Sequence, residues 1–300
     1  MNPVTDRLVH LLSRVILGKE AEIRLAVCCL LAKGHLLLED LPGMGKTTLA
    51  HGLATLMGLE YQRVQFTSDM LPADLLGVSV FEENSRFVFH PGPVFTQVLL
   101  ADEINRGSPR TQSALLEAMA ECQVSIDRET RPLPDPFFVI ATQNPQDQAG
   151  TYPLPESQLD RFLMCISLGY PSRDTEKQML QQVAQPTMQT QLEVGQLKAM
   201  QAEAERVSVA DAALDYLLNL IEASRIDGLV PHPLSPRGSK ALLAAAKAWA
   251  YMAGRHYVLP DDIQAVFASV AEHRMRHLTQ SHQKRNQYSK TILERVDPVR

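Results

Sequence analysis

Leu8, Leu11, Leu12 and Val15 recur at three- and four-residue intervals, the spacing of one helix face, and Gly18 then offers a stop. A second helix is expected around residues 21–32. Five short apolar runs follow, HLLLED, YQRVQFT, VLLADE, FFVIATQN and FLMCISLGY, alternating with helical stretches. Runs with little polar alternation suit strands covered on both faces, which predicts a parallel sheet with helices on either side. From about Pro186 the pattern turns wholly helical, with ALDYLLNLIEASR and GSKALLAAAKAWAYMAG carrying apolar residues at helical intervals. Between them, the prolines of VPHPLSPRG predict a rigid, extended connection. The expected organisation is an α/β domain over 1–185 and a smaller all-helical domain over 186–300.

The first strand runs into DLPGMGKT, a phosphate-loop pattern with one departure. Gly45, Lys46 and Thr47 satisfy its end, but Asp40 stands where the opening glycine belongs. In such a loop, successive backbone N–H groups and the start of the next helix hold phosphate oxygens, here those of Gly43, Met44, Gly45, Lys46, Thr47 and Thr48. Lys46 would reach the outer phosphates and the Thr47 hydroxyl would ligate Mg2+. Asp40 lies at the strand exit, outside that cradle. If the exit needs an unusual backbone angle, Asp is among the few non-glycine residues able to adopt it, so the loop is expected to bind nucleotide.

VLLADEINR places Asp102 and Glu103 at the carboxyl edge of the sheet, where nucleotide sites lie. Asp102 would hold Mg2+ through water. Glu103 would orient and activate the attacking water, because phosphoryl transfer depends chiefly on positioning and charge stabilisation. FFVIATQNP ends in Asn144, an uncharged polar group able to fix that water or sense the γ-phosphate; capping a turn before proline is the plainer role.

Composition narrows the function classes. A net charge of -5 over 300 residues, with 21% of them charged, argues against general nucleic-acid binding, which needs a basic domain. Polar interruptions in MNPVTDRLVHLLSRVILG argue against a signal peptide, and no apolar run is long enough to cross a bilayer, so a soluble cytoplasmic protein without direct membrane insertion is expected. Cys28, Cys29, Cys122 and Cys165 lack C-x-x-C spacing and read as buried, reduced thiols. His273 and His277 sit four apart, but without the glutamate of a metalloprotease motif they read as solvated. The last 30 residues hold seven Arg/Lys against three acids, read as a solvated helix and frayed tail.

Taken in order, LLLEDLPGMGKTTLA, GPVFTQVLLADEINRGSPRTQSALLEAMAE, FFVIATQNPQDQAGTYPLPESQLDRFLM and LSPRGSKALLAAAKAW resemble the AAA+ ATPases, and within them the MoxR family, over almost the whole chain. The resemblance implies a P-loop NTPase core with a parallel sheet and an insert in its second helix, followed by a small helical lid. It implies ATP and Mg2+ as cofactors and a homo-oligomeric, usually hexameric ring that remodels a protein client, often one with a von Willebrand factor A domain. By the same resemblance, Asp at the first loop glycine is a tolerated variation. Lys46 and Thr47 match the P-loop, Asp102 and Glu103 the Walker B pair, Asn144 sensor 1, Arg161 in LDRF the arginine finger and Arg237 in SPRG sensor 2. A structural salt bridge is the plainer role for either arginine.

FTSDMLPADLLGVSVFEENSRFVFHPGPVF fits the family's insert, and SVFEENSRFVFH within it reads as two strands around a polar turn; CQVSIDRETRPLPDPFFVI suggests a further hairpin. In the family such hairpins lie toward the ring pore or substrate face; a plain surface hairpin is the simpler alternative. Two other functions stay open. An AAA+ subunit of a magnesium or cobalt chelatase shares most of these blocks and would be separated by tetrapyrrole-synthesis genes beside its own. An assembly module that binds ATP without turnover would be expected to lack the carboxylate of Glu103.

Overall fold

The computed structural model describes residues 2–82, 86–144, 150–181, 188–276 and 286–298. In chain order its elements begin with α1 (Pro3–Ser13), α2 (Glu20–Leu31), β1 (His35–Glu39), α3 (Lys46–Leu56), β2 (Tyr61–Gln65), α4 (Pro72–Leu76), β3 (Gly77–Glu82), β4 (Arg86–Pro91), β5 (Val98–Asp102) and α5 (Pro109–Glu121). They continue with β6 (Gln123–Ile126), β7 (Glu129–Pro132), β8 (Phe138–Gln143), α6 (Glu156–Leu159), β9 (Phe162–Ile166) and α7 (Arg173–Gln181). The helices α8 (Val194–Glu205), α9 (Asp211–Ser224), α10 (Pro236–Met252), α11 (Pro260–Met275) and α12 (Gln287–Arg295) follow.

All five apolar runs form strands of one sheet, ordered β2-β5-β8-β1-β9, and each neighbouring pair is parallel. Side chains alternate across it. Leu36 and Leu38 of β1, Val98 and Leu100 of β5, and Phe138 and Ile140 of β8 belong to one apolar core; Leu37, Leu99, Ala101, Val139 and Ala141 belong to the other. Edge strand β2 departs from the expected burial: only Val64 of its five residues is buried. Its exposed residues, Gln62, Arg63 and Gln65, are polar or charged, which blunts an edge that could otherwise pair with another chain.

The first core joins α1, α2 and α3 to buried residues of α8 through α12, so apolar packing runs from the sheet into the C-terminal helices without a break. The expected domain boundary at 185/186 lies outside the described residues. VPHPLSPRG is less of a spacer than its prolines suggest. Ser235 caps α10, accepting from the Gly238 N–H at 3.0 Å, and Pro236 fills the first helical position, where its missing N–H costs nothing.

Both expected hairpins are present as β3–β4 and β6–β7; the turn at 83–85 lies outside the described residues. Asp127 and Arg128 between β6 and β7 have φ of 52° and 67°, as a two-residue hairpin turn requires. Three expectations fail. Val15 lies past the end of α1, which stops at Ser13. Cys28 and Cys29 are buried free thiols that burial pushes up in pKa, whereas free Cys122 is exposed at the end of α5 and free Cys165 is half-buried. His273 is buried, not solvated: it packs against β9 with Nε2 3.2 Å from the Phe162 carbonyl oxygen, and burial beside Arg274 lowers its pKa. His277, Lys284, Arg285 and Arg300 lie outside the described residues. Among the described residues no helix is long and apolar enough to cross a membrane.

Candidate functional site

The phosphate loop takes its shape from two glycines in left-handed backbone, Gly43 at φ 82° and Gly45 at φ 85°. Side chains rarely adopt that region. Gly45 caps α3, and the first intrahelical bond is Leu49 N–H to the Gly45 carbonyl at 2.9 Å, so the amides of Gly45 to Thr48 have no acceptor within the helix. They and the helix dipole make an anion seat.

Asp40 does not adopt left-handed backbone, so conformational tolerance is not what places an aspartate there. Its carboxylate accepts from the Ser167 hydroxyl at 2.5 Å, the Leu168 N–H at 2.5 Å and the Gly169 N–H at 3.0 Å. The aspartate thus ties the loop's first residue to the segment leaving β9. Its backbone oxygen accepts from Lys46 Nζ at 2.8 Å.

Lys46 is buried at the start of α3, and Nζ also donates to Asn144 Oδ1 at 3.2 Å. Burial lowers its pKa, opposed by the nearby carboxylates of Asp40, Asp102 and Glu103. Asn144 Nδ2 donates to Glu103 Oε1 at 3.0 Å, which makes this residue the bridge between lysine and glutamate. The other Glu103 oxygen takes Gln65 Nε2 at 2.9 Å and Arg106 Nε at 2.8 Å. Glu103 has φ 54°, a conformation a long side chain rarely adopts, held by the bond from its N–H to Thr142 Oγ1 at 2.8 Å. Such retained backbone strain clusters at functional sites. Asp102 beside it is buried, accepting from Thr142 Oγ1 at 2.6 Å and pairing with Arg63 Nη2 at 2.6 Å.

The structure therefore gathers Gly43, Gly45, Lys46, Thr47, Thr48, Asp102, Glu103 and Asn144 around one cleft of about 410 Å3, which Arg63 and Gln65 also line. Met44 faces an adjoining cavity of about 490 Å3 that shares Gly43, Gly45 and Thr48 with the cleft. Val15, Ile16, Leu17, Tyr170 and Pro171 make much of its wall. No signal in the sequence marks these residues, because they come from two turns that only the fold brings to the loop.

Arg161 and Arg237 line neither cavity. Arg161 follows α6, is half-buried and donates to the Leu116 carbonyl at 2.7 Å. Arg237 is exposed in the first turn of α10. Among the described residues neither forms an ion pair. Asp160, next to Arg161, instead anchors this corner: it accepts from Ser235 Oγ at 2.9 Å and from buried Arg274 at 2.7 Å, joining the turn before β9 to α10 and α11.

Residues 35–164 match the ATPase family associated with various cellular activities, and residues 222–296 match the AAA lid domain. The chain is 44% identical to the uncharacterized protein YeaC of Bacillus subtilis, over 92% of this chain and 88% of that one. It is 39% identical to the chaperone MoxR1 of Mycobacterium tuberculosis, over 90% of this chain and 75% of that one. A crystal structure of a candidate ATPase from Cytophaga hutchinsonii superposes with a TM-score of 0.87 at 33% identity, covering 98% of this chain and 94% of that one. With a parallel five-stranded sheet, ATPase and lid family matches over most of its length and 39% identity to MoxR1 over 90% of it, the chain belongs to the MoxR family of AAA+ ATPases.

Proposed function

We propose that this ATPase hydrolyses Mg-ATP within a homo-oligomeric ring, hexameric in its family, and uses the energy to remodel a protein client in the cytoplasm, where ATP is supplied. What carries the reading is the convergence of Lys46, Asp102, Glu103 and Asn144 on the cleft that contains the phosphate loop. The adjoining, largely apolar cavity suits the base of the nucleotide. MoxR1 is named a chaperone, which supports a protein client; by the MoxR resemblance, a protein carrying a von Willebrand factor A domain is the candidate client.

The donor set fits magnesium. Among the described residues no cluster of three His, Cys, Asp or Glu side chains could cage a metal unaided. Mg2+ commonly keeps several waters and binds through one or two carboxylates plus substrate phosphates. Thr47 and Asp102 would hold it. When bound, it neutralises charge developing on the phosphate oxygens. Lys46 and the loop amides bind the phosphates. Glu103 orients the attacking water and takes its proton as oxygen bonds to the γ-phosphorus and the bond to the leaving ADP oxygen breaks, while Asn144 fixes Glu103 and the water. Arg161, outside its own cleft, acts on a neighbour's γ-phosphate, and Arg237 is the lid's contribution.

Mixing two inactive variants tests the shared site. Lys46→Ala should lose ATP affinity, whereas Arg161→Ala should bind ATP normally yet hydrolyse it roughly a thousandfold more slowly, the scale of a trans arginine. Mixed rings pair an intact loop with a neighbour's intact arginine, so activity should return on mixing. Verified mixed assemblies without activity, together with dilute monomer at full rate, would assign Arg161 a structural role.

A further inference from the structure

Arg63 was not expected at the site, yet its guanidinium occupies Asp102. Nη2 lies 2.6 Å and Nε 3.2 Å from Asp102 Oδ2, while Thr142 Oγ1 donates to Oδ1 at 2.6 Å. Both oxygens of the carboxylate that the nucleotide reading gives to magnesium are thereby engaged within the chain.

The pair's surroundings separate it from a structural ion pair. Arg274, which anchors the lid to Asp160, is 4% exposed and also donates to the carbonyls of Leu163 and Phe162, so it has nowhere else to go. Arg63 is 49% exposed, stands on edge strand β2, and among the described residues has one further hydrogen-bond partner, Gln65 Oε1 at 3.4 Å. Withdrawal into water costs the guanidinium itself little, because about half of its side chain is already solvated. Asp102 is only 11% exposed, so an unbalanced charge there is disfavoured. A guanidinium hydrogen-bonded to the carboxylate and a dication held to the same carboxylate through water repel each other at this short range.

We propose that Arg63 is the removable counter-ion of the metal site: it balances Asp102 in metal-free protein and withdraws when Mg2+ arrives. The proposal rests on the nucleotide reading above. Two effects of removing the charge follow, of opposite sign. Without metal, an unbalanced Asp102 repels the phosphates, so ADP binding weakens. With metal, nothing has to be displaced, so Mg2+ binds more tightly.

Isothermal titration reads both. ADP is titrated into wild type, Arg63→Gln and Arg63→Met in EDTA; MgCl2 is then titrated into each protein saturated with ADP, with the ADP-only heats subtracted. The variants should bind metal-free ADP roughly three- to tenfold more weakly and reach half-saturation at roughly three- to tenfold less Mg2+, the range for loss of a partly solvated, charge-assisted pair. A general loss of structure would weaken both. Unchanged constants, or weakening in both titrations by correctly folded variants, would overturn the proposal. Wild type that binds ADP at no Mg2+ concentration would instead overturn the nucleotide reading.

Discussion

Asp40 shows what a motif conceals at the scale of one residue. By the consensus pattern, Asp40→Gly repairs the phosphate loop. By geometry it removes an anion that holds two amides and a hydroxyl of 167–169. Hydrogen bonds to a charged group contribute about 1.5–3 kcal/mol each, and partial access to water reduces the loss of three. Asp40→Gly should therefore destabilise the protein by roughly 2–4 kcal/mol and weaken nucleotide binding, because Gly169 and Tyr170 line the adjoining cavity. Denaturant midpoints and ADP titration check this; a variant as stable as wild type that binds ADP better would restore the consensus interpretation. Lys46, Asp102 and Glu103 were legible in the sequence because local spacing sets their placement. The contacts of Asp40 with Ser167 and of Arg63 with Asp102 span 127 and 39 residues, and no local pattern announces them.

Among the elements, strands were legible from apolar runs, but which strand lies at an edge depends on pairing, and β2 resembled its buried neighbours for that reason. His35, opening β1, shows how such pairing creates a pH dependence. Its Nδ1 accepts from the Val139 N–H of β8 at 3.0 Å and its Nε2 lies 3.2 Å from the Met119 carbonyl, so the neutral ring is satisfied on both sides. Burial lowers its pKa to about 4. In the unfolded chain a histidine titrates near 6.5, so unfolding takes up a proton below that pH. The contribution is complete above about pH 6.5 and is lost as pH falls toward 4, about 3 kcal/mol in all. Buried His273 acts in the same direction. Denaturant stability measured from pH 7 to 4.5 should fall in wild type, with a shallower slope in His35→Gln. An identical slope in the two proteins would mean that another group takes up the proton.

Across the whole molecule, the two textures of the sequence, α/β and then all helical, are both present, yet their shared core was not legible. A helix's apolar face shows that it is covered, not by what. Here α10 packs on α2 and α11 on β9, and residues as far apart as Leu8 and Ile292 belong to one of the two apolar clusters. A chain so packed should unfold as one unit. Calorimetry should give a single transition whose van't Hoff and calorimetric enthalpies agree; two separated transitions would mean that the core divides. Close-packed interiors also transmit displacement rather than absorb it. With helices from both ends of the chain interlocked, the lid is poorly suited to flap open on a loose tether. In the ring proposed above, nucleotide turnover would instead tilt each subunit as a stiff lever, delivering its stroke to whatever the neighbouring copy holds.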